Sequence, residues 1–146
     1  MAVGKKTQNA FLVENKDANI ILKTNNLSIG YKTKKAVTIV AQNINIALKK
    51  GSLIGLVGAN GIGKSTLLRT LTNVQPKLSG TTSLNSKLLE DYSNIDLAKT
   101  MSLVLTDTIA SKNLTVFELV ALGRQPYTNW VGNLSENDLE IVNNAL

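Results

Sequence analysis

Nine residues constrain this chain more than any others: Gly58-Ala-Asn-Gly61-Ile-Gly63-Lys64-Ser65-Thr66, which satisfy the pattern G-x-x-x-x-G-K-[ST]. Before them runs Ser52-Leu-Ile-Gly-Leu-Val57, almost unbroken apolar sequence of the kind found in strands buried on both faces. After them Leu67, Leu68 and Leu71 recur at helical spacing within Lys64 to Val74, so the order strand, glycine-rich loop, helix is predicted. That order meets the physical needs of a phosphate site. Glycines leave backbone N–H groups unobstructed by Cβ atoms, and the helix start turns unpaired N–H groups and a positive dipole end toward the same anion. Lys64 is expected to set its ammonium on the outer phosphate oxygens and Ser65 to offer its hydroxyl to Mg²⁺, a hard cation that takes oxygen ligands. A glycine-rich turn that binds nothing would leave the Gly63-Lys64-Ser65 triplet unexplained.

The remaining composition narrows the chemistry. With 146 residues, 43% of them apolar, the chain can bury one core and is too short for two ordinary domains. It has no cysteine and no histidine, which excludes disulfides, thiolate or imidazole metal sites, Ser-His-Asp triads and histidine general bases. Carboxylate, lysine, hydroxyl and backbone chemistry remain. No apolar run approaches the roughly 18 residues of a membrane span, and Lys5-Lys6 lead into polar residues instead of a signal-peptide core, so a soluble, non-exported chain is expected. Residues 1–70 hold eleven Lys or Arg against two acids, whereas the remainder holds five against eight. The lysines are scattered and arginine is scarce, unlike a nucleic-acid groove that interleaves arginine with aromatics, so no nucleic-acid partner is expected.

Residues 1–18 read as a loose extension. From Asn19 to Gly30 one or two short strands with a turn at Asn25-Asn26 are predicted, followed by strand-like alternation in Ala36 to Val40 and Ile44 to Leu48, which together make an antiparallel β layer. Thr81 to Asn85 is a further strand, Asp96 to Lys99 a helical turn, and Met101 to Leu105 a second buried strand. Thr115 to Leu122 suits a helix with Thr115 as cap and Glu118 closing a capping box, ended by Gly123 and Pro126. Ser135 opens another capped helix.

The fuller pattern resembles the ATP-binding subunit of ABC transporters, and within that family the importers for iron-siderophore, haem and cobalamin ligands. Tyr31, closing Leu27-Ser-Ile-Gly-Tyr31 about 27 residues before the loop, matches the family's aromatic residue that stacks on adenine. The segment Leu48 to Leu68 is similar to the family's strand and phosphate loop almost throughout, and Leu114 to Tyr127, with Gly123-Arg124 and Pro126, resembles its helical subdomain. The resemblance implies an α/β fold, a P-loop NTPase of ABC type: an antiparallel β layer plus a mixed core sheet, with a helical subdomain beginning near residue 107 and the domain incomplete. The N-terminal part of such a domain would occupy residues 19–146. ATP and Mg²⁺ are the implied ligands. Tyr31, Gly58, Ala59, Asn60, Gly61, Ile62, Gly63, Lys64, Ser65 and Thr66 would bind the nucleotide, with Ser65 on the metal. The implied partners are transmembrane permease subunits and a second ATP-binding subunit, on the inner face of the cell membrane, with the helix from Thr115 facing the permease.

This sequence also departs from the family pattern. Thr106 stands where the family carries a magnesium-ligating glutamine, and Asp107 follows it; either could supply an oxygen, while Asp107 reads equally as a loop residue with no metal role. The signature Leu-Ser-Gly-Gly-Gln, the second-strand Asp-Glu pair and the switch histidine do not occur in these 146 residues, and Leu134-Ser-Glu-Asn-Asp138 is not that signature. The implied expectation is that hydrolysis belongs to the full-length protein and that this chain alone is inactive. Two other readings use the same loop: a small P-loop phosphotransferase with Asp107 as its magnesium-linked acid, and a nucleotide-binding fragment without hydrolysis. Against the first, about 38 strand-rich residues precede Gly58, whereas such kinases usually open on the P-loop strand. For Glu118 and Arg124 the simpler readings are a capping glutamate and a solvated arginine.

Overall fold

The computed structural model describes residues 19–104, 114–128 and 132–146, so the expected extension over 1–18 and the subdomain boundary near 107 lie outside the described residues. In chain order the elements are β1 (Ile20–Lys32), β2 (Val37–Ile44), β3 (Ala47–Lys49), α1 (Lys64–Leu71), β4 (Ser79–Leu84), β5 (Lys87–Leu88), α2 (Asn94–Thr100), α3 (Val116–Ala121) and α4 (Glu136–Ala145). Short 3₁₀ turns occupy Leu89–Asp91 and Leu122–Tyr127.

The expected β layer forms, organised around one strand. β1 runs for 13 residues and pairs antiparallel with three others: β4 along one edge, and β3 then β2 along the opposite edge. The two strands on that edge are separated by Asn45 and Ile46, where side chains join the backbone bond from the Thr24 N–H to the Ile46 carbonyl (2.9 Å). Thr24 Oγ1 donates to the Ile44 carbonyl (2.9 Å) and accepts from the Ile46 N–H (3.0 Å), and the Asn45 side-chain oxygen accepts from the Asn26 N–H (2.9 Å). Because the pairings continue on both sides of it, Asn25-Asn26 is a bulge within one strand and not the expected turn. Asn26 takes φ 47° and Gly80 opposite takes φ 84°. A Cβ at Gly80 would lie 2.4 Å from the Asn26 carbonyl oxygen, so only glycine lets the two backbones approach there.

The core lies between this layer and α1. Leu22, Leu27 and Ile29 of β1 meet Leu67 and Leu71 of α1, with Leu84, Leu89 and Leu97 closing the cluster. Leu68, which shares the helical spacing, is exposed. Burial of five such side chains at about 1.5–3 kcal/mol each is the term that fixes α1 on the sheet.

Among the described residues the expected mixed core sheet is not formed. Residues 52–57 and 101–104 are outside any strand, and Leu53, Val57 and Val104 are almost fully exposed. An apolar run becomes a buried parallel strand only when neighbouring strands supply ladder partners on its edges and cover its faces. Among the described residues no strand pairs with either run, and the one sheet present is antiparallel throughout.

Both capped helices are present. Thr115 Oγ1 accepts from the Glu118 N–H while the Glu118 carboxylate accepts from the Thr115 N–H (2.8 Å), and the bonds from Thr115 hold the Glu118 carboxyl below its ordinary pKa. The α-helix ends at Ala121 with Leu122 as its cap, next to the expected stop at Gly123, and because Leu122 keeps right-handed helical angles the chain continues as a 3₁₀ turn through Gly123 and Pro126. Ser135 and Asp138 form the second capping box at α4. The expectation of a solvated Arg124 is corrected: its Nε donates to Asp138 Oδ1 (2.8 Å), a terminal nitrogen lies 2.7 Å from the same oxygen, and its side chain is only 18% exposed. The guanidinium also lies over the Tyr127 ring, 4.0 Å from its centroid. Sequence spacing gave no sign of this pair, because the turn at Leu122–Tyr127 is what carries Arg124 to the start of α4.

Hydrogen bonds from Ser135, with the Arg124 charge behind them, lower the Asp138 pKa from 3.8 to about 2. A depressed carboxyl pKa stabilises the folded state above the unfolded value, and that stabilisation is lost as pH falls from about 4 toward 2. Thermal melts followed by circular dichroism should therefore drop over this window, and Asp138→Asn should lower the melting temperature at pH 7 while flattening the acid limb.

Candidate nucleotide site

The glycine loop leads directly into α1, and the two share a geometry that only glycine provides. Gly61 takes φ 80° and Gly63 φ 108°, left-handed values that cost other residues about 1–3 kcal/mol. The Ile62 N–H faces the Ala59 carbonyl at 3.5 Å, closing the turn around Asn60-Gly61. Gly63 is the N-cap of α1, its carbonyl accepting from the Leu67 N–H (2.8 Å). No side chain caps this helix and no acidic residue stands in its first turn. Helix geometry leaves the first-turn N–H groups without intrahelical acceptors, so this terminus offers donors and a positive dipole end to an anion.

Lys64 supplies the mobile charge. Its Nζ donates to the carbonyls of Gly58 (2.7 Å) and Ala59 (2.8 Å), so the ammonium is drawn back over the loop that precedes its own helix. Ser65 is exposed, whereas Thr66 is buried at 6% exposure. Tyr31, from the far end of β1, reaches the same turn: its hydroxyl and Thr66 Oγ1 share a hydrogen bond of 3.0 Å, and half of the residue stays open to solvent. The structure thus brings together Tyr31 and the loop residues, which are 35 positions apart at this contact. Thr106 and Asp107 lie outside the described residues. Among the described residues no group of three carboxylates gathers into a metal site, and no helix is long and apolar enough to cross a membrane.

Two residues of this neighbourhood carry no signal in the sequence. Val40 on β2 packs under the loop, since a Cβ at Gly63 would lie 2.3 Å from its Cγ1. Gln75, just past α1, donates from Nε2 to the Gly30 carbonyl (2.6 Å), tying the backbone before Tyr31 to the end of the helix. Both contacts join segments far apart in sequence, so only folding makes them visible. Gly63→Ala should therefore both strain the N-cap and strike Val40, lowering the unfolding free energy by about 1–3 kcal/mol in urea titrations.

Comparison with known proteins gives the family. An ATP-binding protein of an ABC transporter from Methanocaldococcus jannaschii is 43% identical over 123 residues, covering 84% of this chain and 41% of the relative. An iron(3+)-hydroxamate import ATP-binding protein from Bacillus subtilis is 36% identical over 125 residues, covering 86% of this chain and 45% of its own length. The chain thus spans less than half the length of these relatives. Among solved structures, a dimeric ATP-binding cassette in a post-hydrolysis state, bound to ADP and phosphate, superposes with a TM-score of 0.67 at 20% identity over 85% of this chain and 55% of that one, a likeness of fold. The family described as ABC transporter matches residues 41–145, from β2 through the glycine loop to the last turn of α4. With most of its length inside that match, the chain belongs to the ABC transporter family.

Proposed function

We propose that this chain is the nucleotide-binding part of the ATP-binding subunit of an ABC importer, that it binds Mg-ATP, and that the full-length protein hydrolyses ATP to drive uptake of an iron-siderophore, haem or cobalamin type ligand. One observation carries the reading: the start of α1 is uncapped, free of acids, led in by left-handed Gly61 and Gly63, and overlain by the Lys64 ammonium. Such a terminus is built for a polyanion. Gly58, Ala59, Asn60, Gly61, Ile62 and Gly63 offer backbone N–H groups to the phosphates, and Lys64 exchanges its carbonyl contacts for phosphate oxygens. Thr66 continues the row of first-turn donors. Tyr31 presents its ring to adenine, an arrangement supported by its hydroxyl lying on the helix that holds the phosphates.

Mg²⁺, when bound, neutralises charge on the phosphate oxygens. The exposed Ser65 hydroxyl in the first turn of α1 fits a hard cation as one oxygen ligand, and Thr106 or Asp107 is a second candidate. The import direction and an iron-chelate cargo are supported by the name of the Bacillus relative. The same family membership supports transmembrane permease subunits and a second ATP-binding subunit as partners, with the protein working on the cytoplasmic face of the membrane.

Titration calorimetry with ATP and Mg²⁺ tests the reading. Lys64→Ala should abolish binding, and Tyr31→Ala should weaken ATP about 5-fold or more, the value of one base–aromatic stack. Unchanged affinity in both variants would overturn it.

A further inference from the structure

The segment Gly30-Tyr31 is tied twice, once to α1 and once to the stretch just past it. At one end of the helix, Thr66 Oγ1 shares a 3.0 Å hydrogen bond with the tyrosine hydroxyl. At the other, Gln75 Nε2 donates to the carbonyl of Gly30, the residue next to it, at 2.6 Å. Thr66 belongs to α1, and Gln75 lies four residues past its end. Thr66 is buried in its first turn, and Gln75 is fastened to its last turn through its own N–H to the Arg69 carbonyl (3.0 Å), as is Val74 (2.9 Å). Gly30 itself packs so closely on β2 that a Cβ there would lie 2.0 Å from the Thr38 carbonyl oxygen. The tyrosine is therefore anchored through its own hydroxyl and through the carbonyl of its neighbour, yet half of it faces solvent.

We infer that Thr66 and Gln75 are positioning residues for recognition of the nucleotide base: they lock the Tyr31 ring to the helix whose start holds the phosphates, so that base and phosphates are read on one rigid frame. This rests on the nucleotide-binding reading above. The physical gain is pre-organisation. A free tyrosine at a strand end would lose the freedom of two side-chain torsions on stacking, whereas here that loss is met during folding. The consequence is selectivity: the affinity added by the base depends on the Thr66 hydroxyl and the Gln75 side chain, which never touch it, while the phosphates are held by Lys64 and by backbone N–H groups, that of Thr66 included, which side-chain variants at Thr66 and Gln75 leave in place.

The experiment compares ADP with pyrophosphate, both with Mg²⁺, by calorimetry on the full chain. Their affinity ratio isolates the contribution of the nucleoside, and a merely structural lesion would lower both affinities together. Tyr31→Phe keeps the ring and removes the hydroxyl; it should lower the ratio about 3- to 10-fold, the worth of one hydrogen bond. Thr66→Val should do the same, and the double variant should lose no more than either single one, because both remove the same bond. Gln75→Leu should lower the ratio while pyrophosphate binds as before. A wild-type ratio in Tyr31→Phe, additive losses in the double variant, or parallel losses of both ligands would overturn the inference. A wild-type chain that binds neither ligand, or a Lys64→Ala variant that binds both normally, would overturn the nucleotide-binding reading and the inference with it.

Discussion

Everything placed at the candidate site depends on how α1 sits on β1. The helix must bury one face and leave one end bare. Leu67 and Leu71 join Leu22, Leu27 and Ile29 in the core, which fixes both the position and the roll of the helix. The first turn, led by Gly63 and lacking any side-chain cap, then remains as an unsatisfied terminus. In an ordinary helix that end would be closed by a serine, threonine or aspartate. α3 and α4 are closed in this way by Thr115 and Ser135, so the bare start of α1 stands out within the same chain.

β1 converts this docking into a site. As a single strand of 13 residues it spans the whole β layer, placing Leu22, Leu27 and Ile29 in the core that α1 shares and delivering Tyr31 at its far end to Thr66. The bulge around Asn26, matched by left-handed Gly80, lets one strand serve partners whose registers do not agree. If Asn25-Asn26 reversed the chain, as those residue types suggest, Tyr31 would not lie in line with Leu22 and the contact with α1 would be lost. A departure from local preference thus contributes directly to the geometry of the site.

The exposed apolar runs express the same dependence from the other side. Ser52 to Val57 leads into the phosphate loop and Met101 leads toward Thr106, and each carries side chains whose hydrophobicity has no covering surface among the described residues. Hydrogen bonding and burial make a parallel strand a collective object. The β layer, whose contacts come from hairpins and one long strand, forms without them, and this is why, among the described residues, the antiparallel half of the expected architecture is present and the mixed sheet is not.

The sequence by itself determined the local pieces: the loop Gly58 to Thr66 with its left-handed glycines, the amphipathic start of α1, the β layer and both capping boxes. Each of these is set by the spacing of a few residue types within one turn or one strand, and such signals act over distances the chain covers in a few residues. Tertiary structure alone decided the rest: the bond between Tyr31 and Thr66, Gln75 on the Gly30 carbonyl, Val40 beneath Gly63, and Arg124 on Asp138. Three of these four contacts join residues more than twenty positions apart, and no local pattern encodes which partners folding will bring within hydrogen-bond or packing distance. The fourth spans 14 residues but needs the 3₁₀ turn after α3 to aim it. The sequence therefore named the groups that meet a phosphate, and packing of α1 on β1 decided which groups hold them in place.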